Sequence, residues 1–326
     1  MSVRLKDIAE RLGISVSTVS LALREAPQIA EETRVRVREA AAHLGYIHRP
    51  RQSLHTELTS VAFITPAEPG NVFYAAVLTG AEGACRAHKI ALHYMRLDDS
   101  SVLRLARYRD ADGFLLVSSI DEQTVERIRD VGRPIVLIDN NLPHLGLDRV
   151  LIENTASLYR TVMGLAEWGH QRIAYLGGPV AHPSFRERLL GYRLAIADLG
   201  LERIELPCGA ISREAVEQVI ADALAGGGPQ FTALLVCNDM NAIAAMHALQ
   251  DRRVRVPEDV SVVGFDDIDM AQVVRPALTT HHVYREMLGT LGVRRLIERA
   301  AHPDAPAVSL ALDTIFIERD SARPLR

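Results

Sequence analysis

The chain has 326 residues, of which 48% are hydrophobic and 24% charged, and its formal net charge is −4. This length exceeds one comfortable hydrophobic core, so it predicts a small module joined to a larger body. Three widely spaced cysteines argue against a disulfide framework or paired metal ligands, and no apolar run approaches the roughly 18 residues of a membrane span. Since the N-terminus also lacks an apolar signal segment, we expect a soluble cytoplasmic protein with no membrane contact.

Two short amphipathic segments flank a glycine near the N-terminus. The apolar residues of the first recur at helical spacing and are Leu5, Ile8, Ala9 and Leu12. Gly13 follows, where a helix end favours positive φ, and Ser15 can accept a hydrogen bond from the first N–H groups of a second helix beginning near Val16. Val19 and Ala22 of that second helix point back at the first. The pattern predicts a helix-turn-helix, whose second helix lies in a DNA major groove.

A third helix is predicted directly after this pair, over residues 31–44. Its apolar stripe consists of Val37, Ala40, Ala41 and Leu44. Such a unit could instead be a helical hairpin that caps another domain, but its terminal position and the third helix favour an independent DNA-binding headpiece. The charge agrees, since residues 1–60 hold nine Lys and Arg against seven Asp and Glu, a net of +2. The remaining residues hold 28 against 34, a net of −6, so only one end of the molecule suits phosphates.

From Ser60 onward, short apolar strands alternate with helices. The predicted strands are 61–64, 90–94, 113–117, 134–138, 172–176, 233–237 and 260–265, and the clearest helices are 73–88 and 184–199. Continuous apolar strands with intervening helices indicate parallel sheets that are covered on both faces. Two such sets, divided near Asn154, predict two doubly wound α/β subdomains with a cleft between them. Ligands in such sheets bind beyond the carboxyl ends of the strands.

Several motifs, taken in order, resemble the lactose-repressor (LacI) family of bacterial transcription factors over nearly the whole chain. They are Thr18-Val19-Ser20, Glu32-Thr33-Arg34, Leu44-Gly45-Tyr46, Trp168-Gly169-His170, Arg188-Leu189-Leu190-Gly191-Tyr192, Cys237-Asn238-Asp239, Val256-Pro257-Glu258, Gly264-Phe265-Asp266-Asp267 and Leu278-Thr279-Thr280. The resemblance implies a helix-turn-helix headpiece followed by a periplasmic-binding-protein-like body. The implied division is 1–46 for the headpiece, 47–60 for a hinge, 61–153 with 285–308 for the first subdomain, and 154–284 with 309–326 for the second.

The resemblance also implies an effector site in the cleft, commonly for a sugar. The residues at family contact positions are Ser184, Arg188, Asn238 and Asp266, and they offer the donors and acceptors that a polyhydroxylated ligand needs. The alternatives are a helix cap for Asp266, a turn for Asn238 and a surface salt bridge for Arg188. Phe73 could stack on a ring or lie in the core.

The surroundings of Ser184 bear on the charge of the effector. His182 and Arg186 flank Ser184 and could favour an anionic effector such as a sugar acid, or they could be solvated residues at a helix start.

The family also reads DNA through the headpiece and a hinge helix. By resemblance, Val16, Ser17 and Leu21 read base edges, whereas Thr18, Ser20 and Arg24 hold phosphates. Pro50 can open a hinge helix over residues 51–57, in which Leu54 wedges into the minor groove and Arg49 and Arg51 contact phosphates. The alternative is a flexible linker with Leu54 packed on the body.

These expectations describe a homodimeric regulator, more exactly a repressor, that binds a near-palindromic operator in double-stranded DNA. Its effector would be a sugar, sugar derivative or sugar acid, and no cofactor, metal or catalytic residue is expected. The C-terminus lacks an apolar heptad segment, which favours a dimer. A periplasmic-type sugar-binding protein would need a secretion signal and no headpiece. An α/β enzyme would need a motif such as a Gly-rich phosphate loop or a Gly-x-Ser-x-Gly elbow, and the chain has neither.

Overall fold

The computed structural model describes residues 5–23, 29–44, 58–68, 70–97 and 111–325, and the chain divides into two compact units, residues 1–56 and 57–326. The first unit holds three helices, α1 (Leu5–Leu12), α2 (Val16–Leu23) and α3 (Glu31–His43). Their shared core consists of Ile8, Ala9, Val19, Ala22, Val37, Ala40 and Ala41. The three-helix prediction and these seven core residues are therefore confirmed, and Leu12 and Leu44 are partly buried against the core.

The turn between α1 and α2 has the predicted geometry. Gly13 lies at a φ of +64°, in the left-handed region that glycine enters without a Cβ clash. The Oγ of Ser15 accepts a hydrogen bond from the backbone N–H of Thr18 at 3.0 Å, which caps α2. Glycine and serine together thus set the angle at which α2 leaves α1.

The second unit alternates strands and helices along the chain. In order they are β1 (Ser60–Thr65), α4 (Val72–Ala87), β2 (Ala91–Arg96), β3 (Gly113–Val117), α5 (Glu122–Arg129), β4 (Ile135–Ile138), a 3-10 turn (Pro143–Leu145), β5 (Asp148–Ile152), α6 (Asn154–Glu167), β6 (Ile173–Leu176), α7 (Pro183–Asp198), β7 (Ile204–Leu206), α8 (Arg213–Leu224), β8 (Ala233–Val236), α9 (Asp239–Asp251), β9 (Ser261–Val263), α10 (Met270–Val273), β10 (Thr280–His282), α11 (Arg285–Ala301), β11 (Ser309–Leu312) and β12 (Ile315–Ile317).

These strands form two parallel sheets and one small antiparallel pair. The first sheet has the order β11-β5-β4-β3-β1-β2, the second has the order β7-β6-β8-β9, and β10 pairs with β12. The central strands β3, β4, β6 and β8 are buried throughout, because helices cover both faces of each sheet. The prediction of two parallel-sheet subdomains is confirmed.

The chain crosses between the two sheets at three places, and one of them differs from the predicted division. The crossings lie between β5 and α6, between β10 and α11, and between β11 and β12. The strand Ser309–Leu312 pairs in parallel with β5 of the first sheet. Assigning the segment 309–326 entirely to the second subdomain was therefore wrong: the last crossing falls after Leu312.

Helix α11 returns to the first subdomain and packs closely on α4. A Cβ added to Gly289 would lie 2.0 Å from the carbonyl oxygen of Val77, and one added to Gly80 would lie 1.8 Å from that of Glu286. No side chain fits at those distances, so glycine on both helices permits their backbones to touch. This contact fixes the start of α4, where one wall of the cleft begins.

Candidate functional site

Four residues other than glycine adopt positive φ just after the strands that face the cleft. They are Ser118 after β3, Asp139 after β4, and Asp266 and Asp267 after β9, with φ values of 73°, 52°, 121° and 53°. Each such conformation costs about 1–3 kcal/mol and persists only where its surroundings enforce it. The strain falls at the carboxyl ends of parallel strands, which is where ligand sites form in this architecture.

Side chains from the two subdomains meet directly across the cleft. The hydroxyl of Tyr74, at the start of α4, donates to Asp139 Oδ2 at 2.7 Å and lies 3.0 Å from His182 Nε2. Ser184 Oγ, at the start of α7, donates to the other oxygen of Asp139. Because Tyr74 and Asp139 belong to the first subdomain and His182 and Ser184 to the second, we name these four residues the interdomain bridge.

Burial changes the pKa values of two residues of the interdomain bridge, Tyr74 and His182. The pKa of Tyr74 is raised well above its ordinary value, first by burial and then by the charge of Asp139, so the phenol stays protonated. Burial also lowers the pKa of His182, although Asp139 opposes this. A neutral imidazole whose Nε2 donates to Tyr74 leaves Nδ1 as an acceptor, and that Nδ1 is buried without a hydrogen-bond partner.

Arg188 lies behind the bridge and is only 3% exposed. Its Nε donates to Asn154 Oδ1 at 2.9 Å and its Nη1 donates to the carbonyl of Cys237. The guanidinium carbon stands 3.7 Å from the centre of the Phe265 ring, a cation–π contact in a desolvated setting. A surface salt bridge, the alternative considered for Arg188, is excluded by this burial.

Asp266 is 8% exposed and holds an incompletely paired carboxylate. Its Oδ1 lies 3.5 Å from Arg188 Nη2, which is too long for a hydrogen bond, and the atom is buried with no other partner. Burial raises the pKa of Asp266 to about 8, with Arg188 lowering it and Asp239 and Asp139 raising it. The side chain does not cap a helix, since α10 starts only at Met270.

Asn238 caps α9. Its Oδ1 accepts from the backbone N–H of Asn241 at 2.9 Å, as the turn alternative for this residue expected. Among the described residues its Nδ2 has no hydrogen-bond partner, so one end of the amide fixes the helix while the other is free to donate into the cleft. The structural and the ligand-binding interpretations of Asn238 are thus compatible.

The wall formed by α4 differs in detail from the expected one. Phe73 is buried in the core and packs edge-on against Tyr74 at 5.0 Å between ring centres, so its ring supports the wall from behind. Tyr74, the next residue along α4, supplies the polar contact. A cavity of about 170 Å³ opens beside it, and its lining includes Thr65, Glu68 and Tyr94.

Sequence reasoning also missed Asp139, Asn154 and Glu187. Asp139 directly follows a predicted strand, so the strand-end rule could have found it. Glu187 accepts hydrogen bonds from Asn141 at 2.6 Å and from Asn154 at 2.9 Å, and it thereby ties the subdomains together beside the bridge. Nothing local in the sequence marks these partners, because they are far apart in the chain.

His281 and His282 are structural. His281 is buried, with Nδ1 bonded to Thr314 at 2.8 Å and Nε2 to Thr161 at 2.6 Å, and burial lowers its pKa to about 3. His282 bonds to Asp267 at 2.9 Å. Within the described ranges no group of three or more His, Cys, Asp or Glu side chains could hold a metal ion.

The headpiece presents part of the predicted DNA-reading surface. Val16 is 44% exposed at the start of α2, and Thr18 takes part in the cap with Ser15. The side chains of Ser17, Ser20 and Leu21 lie outside what the structure describes, as do Arg24, Arg49, Arg51, Leu54 and the predicted hinge helix. These DNA contacts therefore stay predictions.

Fold and site define a protein with a helix-turn-helix headpiece and a two-subdomain, periplasmic-binding-protein-like body. Residues 4–48 match the family described as Bacterial regulatory proteins, lacI family, and residues 162–322 match the Periplasmic binding protein-like domain. The chain is 29% identical over 332 residues to the Probable HTH-type transcriptional repressor ExuR of Bacillus subtilis, covering 99% of both chains. The headpiece thus matches the DNA-binding domain of the LacI family, and nearly the whole chain is similar to transcriptional repressors of that family.

Solved structures are similar over most or nearly all of the chain. The transcriptional regulator CelR in complex with cellobiose is 27% identical, with a TM-score of 0.74, over 98% of this chain and all of that one. A LacI family regulator from Enterococcus faecium with bound ribose is 25% identical, with a TM-score of 0.72, over 82% of this chain and all of that one. In the described part of the chain, no helix has the length and apolar character needed to cross a membrane.

Proposed function

We propose that a sugar or sugar derivative, bound between the subdomains, controls the operator affinity of this repressor. The interdomain bridge is the observation that carries the proposal: Tyr74 and Asp139 on one wall bond to His182 and Ser184 on the other. A molecule that enters must replace these bonds and so change how the walls meet. The cellobiose and the ribose bound in two similar solved structures support a carbohydrate.

The effector contacts proposed are Ser184, Arg188, Asn238 and Asp266, with Phe73 supporting the wall of α4. Asp266 supplies an acceptor and Asn238 Nδ2 a donor, both at strand ends of the second sheet. Arg188 is held by Asn154 and Cys237 and lies beside Asp266. The N–H groups of its Nη2 would donate to a ligand hydroxyl. Such convergent polar groups on a rigid scaffold suit a polyhydroxylated molecule.

On the DNA side, two chains would pair through their bodies and place two headpieces on the half-sites of a near-palindromic operator. The small positive charge of one headpiece supports this, because few phosphate contacts give weak affinity and pairing doubles them. Val16, Ser17 and Leu21 would read base edges, whereas Thr18, Ser20 and Arg24 would hold phosphates. Arg49, Arg51 and Leu54 would contact the DNA between the half-sites. A protein that binds an operator in this way would reside in the cytoplasm.

Binding to a labelled fragment of the gene's own upstream region tests the proposal. Retention is measured at two salt concentrations, with and without a panel of sugars, because phosphate contacts make affinity salt-dependent. Release by one sugar would identify an inducer, and retention that requires a sugar would identify a corepressor; either supports the proposal. Absence of specific retention under every condition would overturn it.

Matched variants separate the effector response from DNA binding. Arg188→Ala and Asp266→Asn should retain the fragment but lose the response to the sugar. Arg193→Ala serves as the control on the same helix, because Arg193 pairs with Glu205 on the surface, away from the cleft. If Asp266→Asn responds to the sugar as the unaltered chain does, the proposed effector contact is wrong.

A further inference from the structure

The polar groups left open in the cleft are mostly acceptors. Within the described residues, the buried side-chain atoms without a hydrogen-bond partner include two that face this site, His182 Nδ1 and Asp266 Oδ1. Both can accept, since the imidazole donates through Nε2 and an oxygen of Asp266 keeps lone pairs in either ionisation state. Asp139 accepts from two hydroxyls and has further lone pairs. Asn238 Nδ2 is the matching donor. A ligand that satisfies this set must bring donors.

The balance of charge points the same way. Carboxyl groups line the site at Asp139 and Asp266, with Glu187 beside them and Asp239 behind, and Arg285 is a partly exposed cation near Asp266. Of the lysines and arginines that the structure describes, Arg188 alone is buried, and two of its nitrogens already donate to protein oxygens.

Arg186, which could have attracted an anion, is exposed instead. Its guanidinium donates to the backbone carbonyls of Val180 and Ala181 at the start of α7. His182, the other candidate, is kept neutral by burial. Arg186 thus uses donors at the helix start and lies at the surface, where solvent screens its charge, and the neutral His182 adds no fixed positive charge to the cleft.

Resting on the proposed function, we infer that the cleft selects a donor-rich effector without negative charge, a neutral or aminated polyol, and rejects sugar acids and sugar phosphates. Hydroxyl or ammonium groups satisfy Asp266 Oδ1 and His182 Nδ1, whereas a ligand carboxylate would stand near the Asp139 carboxylate and would oppose the ionisation of Asp266 in a poorly solvated site.

A proton linkage accompanies this selectivity. In the free protein, burial raises the pKa of Asp266 to about 8, so the carboxyl carries a proton over much of the neutral range. Donors from the ligand favour the ionised form and lower that pKa in the complex. Binding of a neutral polyol should therefore release protons, and affinity should rise with pH until about pH 8. An anionic ligand would raise the pKa, take up protons and bind more weakly as pH rises.

Six other ionisable groups lie near Asp266 and could contribute to the same proton linkage. They are Arg188, Arg285, Asp139, Asp239, Tyr74 and Cys237. Tyr74 and Cys237 stay protonated because burial raises their pKa values, that of Cys237 to about 12. The pKa of Asp239 is raised to about 6, so it titrates earlier than Asp266. Proton release on binding between pH 7 and 8 is therefore assigned to Asp266.

The test uses the full chain and probes that share a ring and differ in charge. Isothermal titration compares D-glucose, D-glucosamine, D-glucuronate and D-glucose 6-phosphate, then the corresponding galactose set, then D-ribose and D-ribose 5-phosphate. We expect at least one neutral or aminated member to bind and its anionic counterparts to bind at least tenfold more weakly. Repeating the titration in two buffers of different ionisation enthalpy measures proton release.

Asp266→Asn should reduce the ratio of affinities between a neutral sugar and its anionic counterpart at least threefold. It should also abolish the proton release on binding. Asp269→Asn is the matched control, since it removes an equal charge from an exposed carboxyl three residues away. Tight binding of an acid or phosphate, or binding by no neutral or aminated member, would overturn the inference. If an acid binds and changes operator retention, the inference fails while the proposed function stands; absence of operator retention defeats the proposed function whatever binds.

Discussion

Replacing Arg188 with alanine should destabilise the body by an amount that grows with pH. The substitution removes the Nε bond to Asn154 at 2.9 Å, the Nη1 bond to the Cys237 carbonyl and the cation over the Phe265 ring at 3.7 Å. It also removes the cation nearest to Asp266, 3.5 Å away. Each loss occurs in a buried site, where water does not replace the missing partner.

The magnitude follows from these contacts. A hydrogen bond to a charged group contributes about 1.5–3 kcal/mol, and breaking a buried ion pair by removing one partner costs about 3–5 kcal/mol. The upper figure assumes that the remaining partner stays charged. Because the pKa of Asp266 is about 8, this carboxyl is largely protonated at pH 6.5 and leaves no unpaired charge. We therefore expect a loss of about 3 kcal/mol at that pH, the lower end of the range.

The pH dependence has a definite sign. Asp266 has a higher pKa folded than its ordinary value of 3.8, so the folded state binds more protons and stability falls as pH rises through this interval. In the unaltered chain this decrease in the free energy of unfolding ends near pH 8, where Asp266 ionises in the folded state. Loss of Arg188, which lowers the pKa of Asp266, moves that end point upward. The variant should then lose up to about 1.4 kcal/mol more per pH unit above pH 8.

Equilibrium unfolding in guanidinium at pH 6.5 and pH 9 measures both quantities. The fluorescence of Trp168, the single tryptophan, reports on the body. The double variant Arg188→Ala with Asp266→Asn should show a deficit that does not grow with pH, and Arg193→Ala should stay near the unaltered chain. A deficit below about 1 kcal/mol, or one that is equal at both pH values, would refute the reasoning.

Three further changes test other contacts. Ser15→Ala removes the cap of α2 and should cost about 0.5–2 kcal/mol of headpiece stability, seen as faster hydrogen exchange in α2; unchanged exchange would contradict it. Gly289→Ala should lower the melting temperature, since overpacking costs about 1–3 kcal/mol, whereas Gly83→Ala, where a Cβ meets open space, should not; equal effects would count against the contact. Tyr74→Phe removes the hydroxyl that meets His182 across the cleft, a bond worth about 0.5–1.5 kcal/mol, so the unliganded body should open and its radius of gyration in solution scattering should rise; superimposable profiles would defeat that prediction.

Much of the fold is predictable because its buried strands are continuously apolar. All seven strands expected from the sequence are present to within a few residues, and the helices over 73–88 and 184–199 begin and end within one residue of Val72–Ala87 and Pro183–Asp198. The strands that escaped notice have a different physical character. β5 begins with Asp148 and Arg149, β7 has three residues, and β11 lies at a sheet edge with alternating exposure.

The site was predictable only in part, for a related reason. A rule about strand ends is local, and it leads to Asn238 and Asp266 without knowledge of the rest of the molecule. Bonds between Tyr74 and His182, or between Asp139 and Ser184, join residues 108 and 45 positions apart. No periodicity encodes such pairs, since they exist only when two sheets face each other. The last crossing after Leu312 escaped for the same reason, because edge pairing with β5 is a long-range choice.

The coupling between effector and operator follows from the fact that an effector exchanges bonds in this cleft rather than simply adding them. A ligand hydroxyl that takes the place of Ser184 on Asp139 removes one bond between the walls and creates another through the ligand. Each such exchange changes the free energy of closure by about 0.5–1.5 kcal/mol, whereas allosteric couplings amount to about 1–3 kcal/mol. One or two bonds, gained or lost across the bridge, therefore suffice to regulate DNA binding. The same fold can serve an inducer or a corepressor, because the sign depends on whether the ligand spans both walls or occupies only the wall of Asp266.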